Sequence, residues 1–504
     1  MEERQESTYR RILSSTAVFG GAQALSVLVN IIRAKLVAAI LHSTGMGISS
    51  VITNASNSLQ QLSLMGLNVA SVPDISKAHA DADERVLAYT VRIVRRLVLT
   101  ASVVGLLLTL LLSPLLSQLS FHTDGYTRYF LLLSLAVFFN VLGTGELAVM
   151  QGMRQYKKLA FCSVVPPMCG LLLSIPIYYV WGIEGIVPAM IVVNAIYFVV
   201  IRLLSYRDQR RREQRERITL RQMWQRGRGI IQFGFVMTVG SLLGTLMTYA
   251  LTVFITTYGS VADVGFYQAA GVITTQYIGL LFTAMAADFY PHLSELVKSD
   301  REGAFRLVNQ QTEIIVLILT PLIMLLILSA PLAIRALLTS EFLATERMVR
   351  FLGLAGIFKA LCFPMDYIAY AKGDTPYIFW VESVWGCLKT FTIMSLCYYL
   401  WGLDGLGYGA LITSVVDVVV CLLLIPWRYG FSFRAETVRL SLVMIAMASA
   451  CLAFSFLPDT LWRYLLMGAV TAVNIVVSLT QLGRRIDLRA TLGRLTKRRE
   501  RRAG

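Results

Sequence analysis

Apolar runs long enough to cross a ~30 Å hydrocarbon core recur along the chain. They fall at about 12–40, 47–72, 95–117, 129–153, 159–181, 184–206, 229–258, 264–290, 309–331, 348–371, 376–401, 404–427, 438–457 and 461–482. Polar residues gather in short clusters between the runs. Alternation of period two is weak within them, and strand-length segments of about ten residues are missing, which argues against a barrel. In lipid, backbone polar groups must be satisfied internally, and runs this long do so as helices. The pattern predicts an all-α polytopic membrane protein of about fourteen transmembrane helices. Pro331 and Arg335 are expected to interrupt the outer end of the helix at 309–331.

The pattern repeats. A shift of 218 residues places Gly47 on Gly265, Pro73 on Pro291 and Ser76 on Ser294 without gaps. A shift of 220 or 221 places "YYVWGIEG" at 178–185 on "YYLWGLDG" at 398–405, and Gly152 and Tyr156 on Gly373 and Tyr377. Six helices therefore recur as six in the same order. An even number of spans per repeat gives both halves one orientation, a parallel duplication about an axis along the membrane normal. The expected lobes are 1–206 and 229–430, joined by a basic linker at 207–228. Residues 431–504 hold two further helices and a basic tail. Two homologous lobes suit rocking and alternating access.

Composition agrees with a membrane chain: 504 residues are 56% hydrophobic and 15% charged, where soluble domains carry about 25% charge. That excludes a soluble enzyme core, a disulfide scaffold and a disordered chain. The net charge of +16 would suggest nucleic acid, but no RNA- or DNA-reading module accompanies it. Of the 46 Lys and Arg, 37 lie in the termini and alternate loops of one side, five in the other loops (Arg128, Arg335, Arg347, Arg350, Arg463) and four within spans. Basic loops stay cytoplasmic, so both termini are expected inside. The first span lacks a small-residue cleavage site and reads as a retained helix. All seven cysteines fall inside spans without metal-ligand spacing, and the four histidines are scattered. Neither a metal nor a cofactor is expected, and no phosphate-binding loop, dinucleotide fingerprint or partnered nucleophile marks an enzyme.

The stretch "RAKLVAAILHSTGMGISSVITNASNSLQQLSLMGLNVA" at 33–70 resembles the start of the polysaccharide-transporter branch of the multidrug/oligosaccharidyl-lipid/polysaccharide exporter superfamily. It is similar, more narrowly, to O-antigen and enterobacterial-common-antigen flippases. The shared features are a basic residue in the first helix before an apolar run, a Gly-x-Gly helix start, and a Ser/Asn/Gly-dotted second helix. Many relatives have Gly-Pro where this chain reads "HSTG" at 42–45. The resemblance implies a 6+6+2 helix plan and a function. By that resemblance, an undecaprenyl-pyrophosphate-linked oligosaccharide is expected to be flipped across the bacterial inner membrane, with membrane lipids and glycan polymerase machinery as expected partners.

Ionisable residues inside spans are functional suspects. Arg33 and Lys35, in the first span, either bind the carrier pyrophosphate, as the resemblance implies for Lys35, or snorkel to the outer interface. The tenth and eleventh spans carry Lys359 and Asp366, then Glu382 and Lys389. Each pair is seven residues apart and so on one helix face, lining a wet cavity or pairing diagonally. Glu146 and Asp417, with Asp366 and Glu382, are candidates for coupling to H+ or Na+. Asn54, Asn57 and Gln61 share a face of the second span, and the eighth carries Gln268 and Gln276. These amides suit sugar hydroxyls, or hold helices together. Two other functions remain open: a multidrug or metabolite antiporter of the same superfamily, and a membrane glycan polymerase or ligase. The intramembrane basic residues weigh against a cationic drug, and the short outer loops against the polymerase.

Overall fold

The computed structural model describes the backbone of residues 2–80, 84–153, 155–209, 220–458 and 460–485. The side chains of 2–24, 206–237 and part of 275–288 fall outside that description, as do the middle of the basic linker and the tail from 486. The helices are α1 (Glu2–Leu64), α2 (Leu67–Ala80), α3 (Glu84–Phe121), α4 (Thr127–Gly152), α5 (Tyr156–Trp181), α6 (Ile186–Gln209) and α7 (Leu220–Tyr258). They continue with α8 (Val261–Ser299), α9 (Arg301–Leu337), α10 (Glu346–Lys372), the short α11 (Thr375–Tyr377), α12 (Gly386–Tyr429), α13 (Ala435–Phe454) and α14 (Leu461–Arg485). No strand occurs among the described residues.

Among the described residues, ten stretches are long and apolar enough to cross a membrane, so this is a multi-pass membrane protein. Three of them, of 40, 48 and 55 residues, are each long enough for two crossings. They turn at His42, Gly182 and Gly402, where φ is 58°, 54° and 58°. The last two are the glycines of the duplicated WG motifs. A Cβ on either would meet open space, so conformation alone calls for glycine there. The rest of the motif divides by environment. Tyr178 and Tyr398 are buried, whereas Tyr179, Trp181, Tyr399 and Trp401 are exposed, as in an interfacial aromatic belt.

Two boundaries differ from the sequence expectation. The span at 47–72 is broken at Met65 and Gly66, both at positive φ, and Pro73 lies within α2 rather than at the end of one long helix. Conversely, α9 runs unbroken through Pro331 and Arg335 to Leu337. Proline at 331 deprives the Ile327 carbonyl of its helical donor, and Arg350 Nε donates to that carbonyl at 3.2 Å. Arg350 is therefore not an outer-loop charge. It lies in α10, buried, paired with Glu346 and donating to the Ser455 carbonyl at 3.4 Å. Arg350→Met should lower the melting temperature markedly, since each buried carbonyl left unsatisfied costs about 1–3 kcal/mol. An unchanged melting temperature in detergent would show that the proline is accommodated some other way.

The chain divides into two compact units. Unit 1 comprises 1–272, 335–344 and 379–403; unit 2 comprises 273–334, 345–378 and 404–504. In unit 1, α4 packs between α3 and α6, α5 lies against α1 and α6, and α7 covers α1, α2 and α3. In unit 2 one core joins Ile315, Leu319 and Ile323 of α9, Ile357 and Leu361 of α10, Met444 and Ala448 of α13, and Met467 of α14. The two helices outside the repeat are thus fastened to α9 and α10. Thr437 donating to Glu313 at 2.6 Å, and the Arg434 N–H donating to Asn309 at 2.9 Å, add polar ties.

Candidate functional site

Residues 218 apart, equivalent in the duplication, meet one another in unit 1. A Cβ on Gly47 would run into the Val261 carbonyl, and one on Gly265 into the Ser43 carbonyl. One turn further on, Ser50 Oγ donates to Gln268 Oε1 at 3.2 Å. Contact between equivalent positions marks a local twofold axis. It passes between the second arm of α1 (residues 43–64) and the start of α8, the two segments expected to line a cavity. Only glycine lets their backbones approach so closely.

Below this contact the second arm of α1 lies on α7. Asn54 Nδ2 donates to Thr252 Oγ1 at 3.1 Å, and Ser58 Oγ donates to the Thr245 carbonyl at 3.4 Å. Thr245, Thr248, Thr252 and Thr256 form a hydroxyl stripe at helical spacing on α7. That stripe was readable in the sequence as a period of three and four, yet it is missing from the sequence candidates. Asn54 is thus occupied by a helix contact. Asn57 and Gln268 are exposed and Gln61 is half-exposed. Gln276 lies in α8, where its side chain is outside the described residues.

The charged candidates fall in both units. Arg33 is half-buried in α1. Lys35 is exposed and donates from Nζ to the Ala336 carbonyl at 2.6 Å, at the C-terminal end of α9. That position suits a cation, because the carbonyls of a last turn lack helical donors. Lys389 is buried, and Glu382 half-buried, in the unit 1 part of the 375–429 stretch. The backbone between this pair is not uniformly α-helical. Residues Ile378–Trp385 form a π-helical turn, so a seven-residue spacing no longer equals two α-helical turns. Such turns are frequent at functional sites. In unit 2, exposed Lys359 and half-buried Asp366 lie on α10, and Asp417 on α12. Cys421 Sγ donates to Asp366 Oδ1 at 3.3 Å.

Glu146 is held by two arginines. Arg95 of α3 contacts it through Nε at 2.8 Å and Nη2 at 2.9 Å, and Arg202 of α6 through Nη1 at 2.7 Å. Both arginines look like topology charges in the sequence, and nothing in their spacing reveals the shared carboxylate. A chain of neutral groups crosses the same unit. Gln60 donates to Thr144 at 3.1 Å, Thr144 to Asn140 at 3.3 Å, and Asn140 to Asn194 at 3.1 Å. Outside the spans, Asp374 accepts two hydrogen bonds from Arg428 and one from the Tyr429 hydroxyl at 2.7 Å. The Arg428 guanidinium holds its carboxyl down to about 2. Among the described residues no cluster of three or more His, Cys, Asp or Glu side chains is placed to hold a metal.

A family model described as "Polysaccharide biosynthesis protein" matches residues 36–347. No curated protein matches. Solved structures do. A lipid II flippase MurJ in an inward closed conformation is similar at a TM-score of 0.72 and 12% identity, covering 93% of this chain and 99% of that one. An inward-facing multidrug resistance MATE family transporter of the MOP superfamily gives a TM-score of 0.66 and 16% identity, with 80% and 94% coverage. A MOP superfamily transporter from Pyrococcus furiosus gives 0.56 and 14%, with 83% and 95% coverage. At such identities the likeness is one of fold.

Proposed function

The chain belongs to the polysaccharide biosynthesis protein family and has the fold of the MOP superfamily transporters, and from that premise we propose that it flips a lipid-linked oligosaccharide. The cargo is an undecaprenyl-pyrophosphate-linked unit of O-antigen or a related surface glycan. It moves from the cytoplasmic to the outer leaflet of the bacterial inner membrane, and both termini of the chain are cytoplasmic. The observation that carries the mechanism is the meeting of equivalent residues at Gly47–Gly265 and Ser50–Gln268. Two repeats related by an axis along the membrane normal, touching at one end, are what alternating access requires. Closed at this end, the molecule receives substrate from the other; parting here releases it outside.

Chemistry divides along the substrate. Amides at Asn57, Gln61 and Gln268 offer donors and acceptors to sugar hydroxyls, and Arg33 and Lys35 offer charge to the pyrophosphate. The lobes are the two repeats, 1–206 and 229–430, with the basic linker between them at the cytoplasmic surface. Asp366 and Asp417 on facing stretches of α10 and α12 are the groups we assign to H+ or Na+ coupling. Glu146 holds two arginines and serves the frame of its lobe. The likeness to MATE transporters favours one other reading, a drug or metabolite antiporter; intramembrane basic residues suit an anionic cargo better.

The site is tested by complementing a deletion strain with Arg33→Ala and with Lys35→Ala. Each variant should insert normally yet restore little surface glycan. Lys35→Ala also frees the Ala336 carbonyl, so Lys35→Met, which keeps the stem, and Lys35→Arg, which keeps the charge, separate packing from charge. Full surface glycan with both alanine variants would reject these residues as the pyrophosphate site.

A further inference from the structure

We propose that residues 335–344 form a latch whose keeper is the elbow at His42, and that this contact must part whenever the outer side opens. The inference rests on the alternating-access reading and adds to it the element that holds one state shut.

The backbone gives the first sign. His42 has φ 58° and ψ −171°, a region essentially reserved for glycine. Gly182 and Gly402 turn the chain in the same way. The position 218 residues after His42, Ser260, opens α8 with an ordinary cap: its N–H donates to Asp263 Oδ2, and the Asp263 N–H donates to Ser260 Oγ, both at 3.1 Å. Where Gly182 and Gly402 stand at the other two turns, the one at His42 places a side chain at positive φ, as Met65 and His122 also do at 43° and 53°. Such a conformation persists when its surroundings over-determine it.

Those surroundings are the 335–344 segment. Glu341 is the centre: His42 Nδ1 lies 3.1 Å from its Oε2, and the Ser43 N–H donates to its Oε1 at 3.0 Å. A carboxylate thereby caps the second arm of α1 from outside that helix. Lys35 grips the Ala336 carbonyl. Phe342 is fully buried, its ring edge-on to Phe266 of α8 at 5.6 Å. By sequence the segment belongs to the second repeat and Lys35, His42 and Ser43 to the first; by packing it belongs to unit 1, although the body of α9 and all of α10 belong to unit 2. It begins with the last turn of α9 and holds the elbow one turn from the Gly47–Gly265 contact.

The test reads access to that contact and does not depend on what is transported. Ser50 is buried. With Ser50→Cys introduced, a membrane-impermeant maleimide added outside intact cells should label it slowly, with the wild-type chain giving the background from its own cysteines. Adding His42→Gly, which suits the backbone and removes the ring, or Glu341→Ala, should raise labelling several-fold in protein that inserts at normal levels. Separately, His42→Cys with Glu341→Cys, oxidised by copper–phenanthroline, should stop transport, and dithiothreitol should restore it. Unchanged labelling in both variants, or transport that continues with the two cysteines joined, would overturn the latch. Raised labelling together with normal surface glycan in the deletion strain would leave the latch standing and remove the glycan cargo.

Discussion

Gly47→Ala will abolish most transport while leaving a protein that inserts and folds. The added methyl has to occupy the place of the Val261 carbonyl, and backbone cannot swing aside as a flexible side chain would. Overpacking of this kind costs about 1–3 kcal/mol. Placed on one state of a two-state cycle, that cost shifts the equilibrium by about 5- to 150-fold, away from the closed arrangement at this end. Gly265→Ala should behave alike, because its methyl meets the Ser43 carbonyl across the axis. Gly468→Ala in α14, where a Cβ meets nothing within 4 Å, is the control and should transport normally. Surface glycan per inserted molecule is the measurement. Equal transport by all three variants would show that the two helix starts do not need to close.

Glu146→Ala should be the most damaging single change to stability. It removes one carboxylate and strands two guanidinium groups that face it from α3 and α6. Breaking a buried pair from one side costs about 3–5 kcal/mol. Glu146→Gln keeps the shape and most hydrogen bonds but loses the charge, and should fall between. Thermal unfolding in detergent reads both. If Glu146→Ala melts like the wild type but loses transport, the carboxylate is serving coupling and not the frame.

Much of this fold was legible from period and length. Apolar runs gave the helices, and the offset of 218 located Gly47 and Gly265, though not that they touch. That last step needs three-dimensional closure, which no local pattern encodes. In the sequence Arg350, a basic residue beside a span end, looks like a topology charge; the freed Ile327 carbonyl explains why it turns inward. Arg95 and Arg202 were hidden in the same way, their partner lying on a third helix. The π-helical turn at Ile378–Trp385 lies between Glu382 and the α-helix that carries Lys389, and the seven-residue spacing carries no trace of it. The WG motif shows the opposite case. Its repetition was plain, and the positive φ at Gly182 and Gly402 supplies the reason.

The most direct measurement deletes the gene and determines in which leaflet of the inner membrane lipid-linked glycan units reside. The flippase reading predicts that they accumulate facing the cytoplasm, that surface glycan is lost, and that the wild-type chain restores both while Gly47→Ala does not. Glycan units distributed normally between leaflets, with drug resistance lost instead, would contradict it.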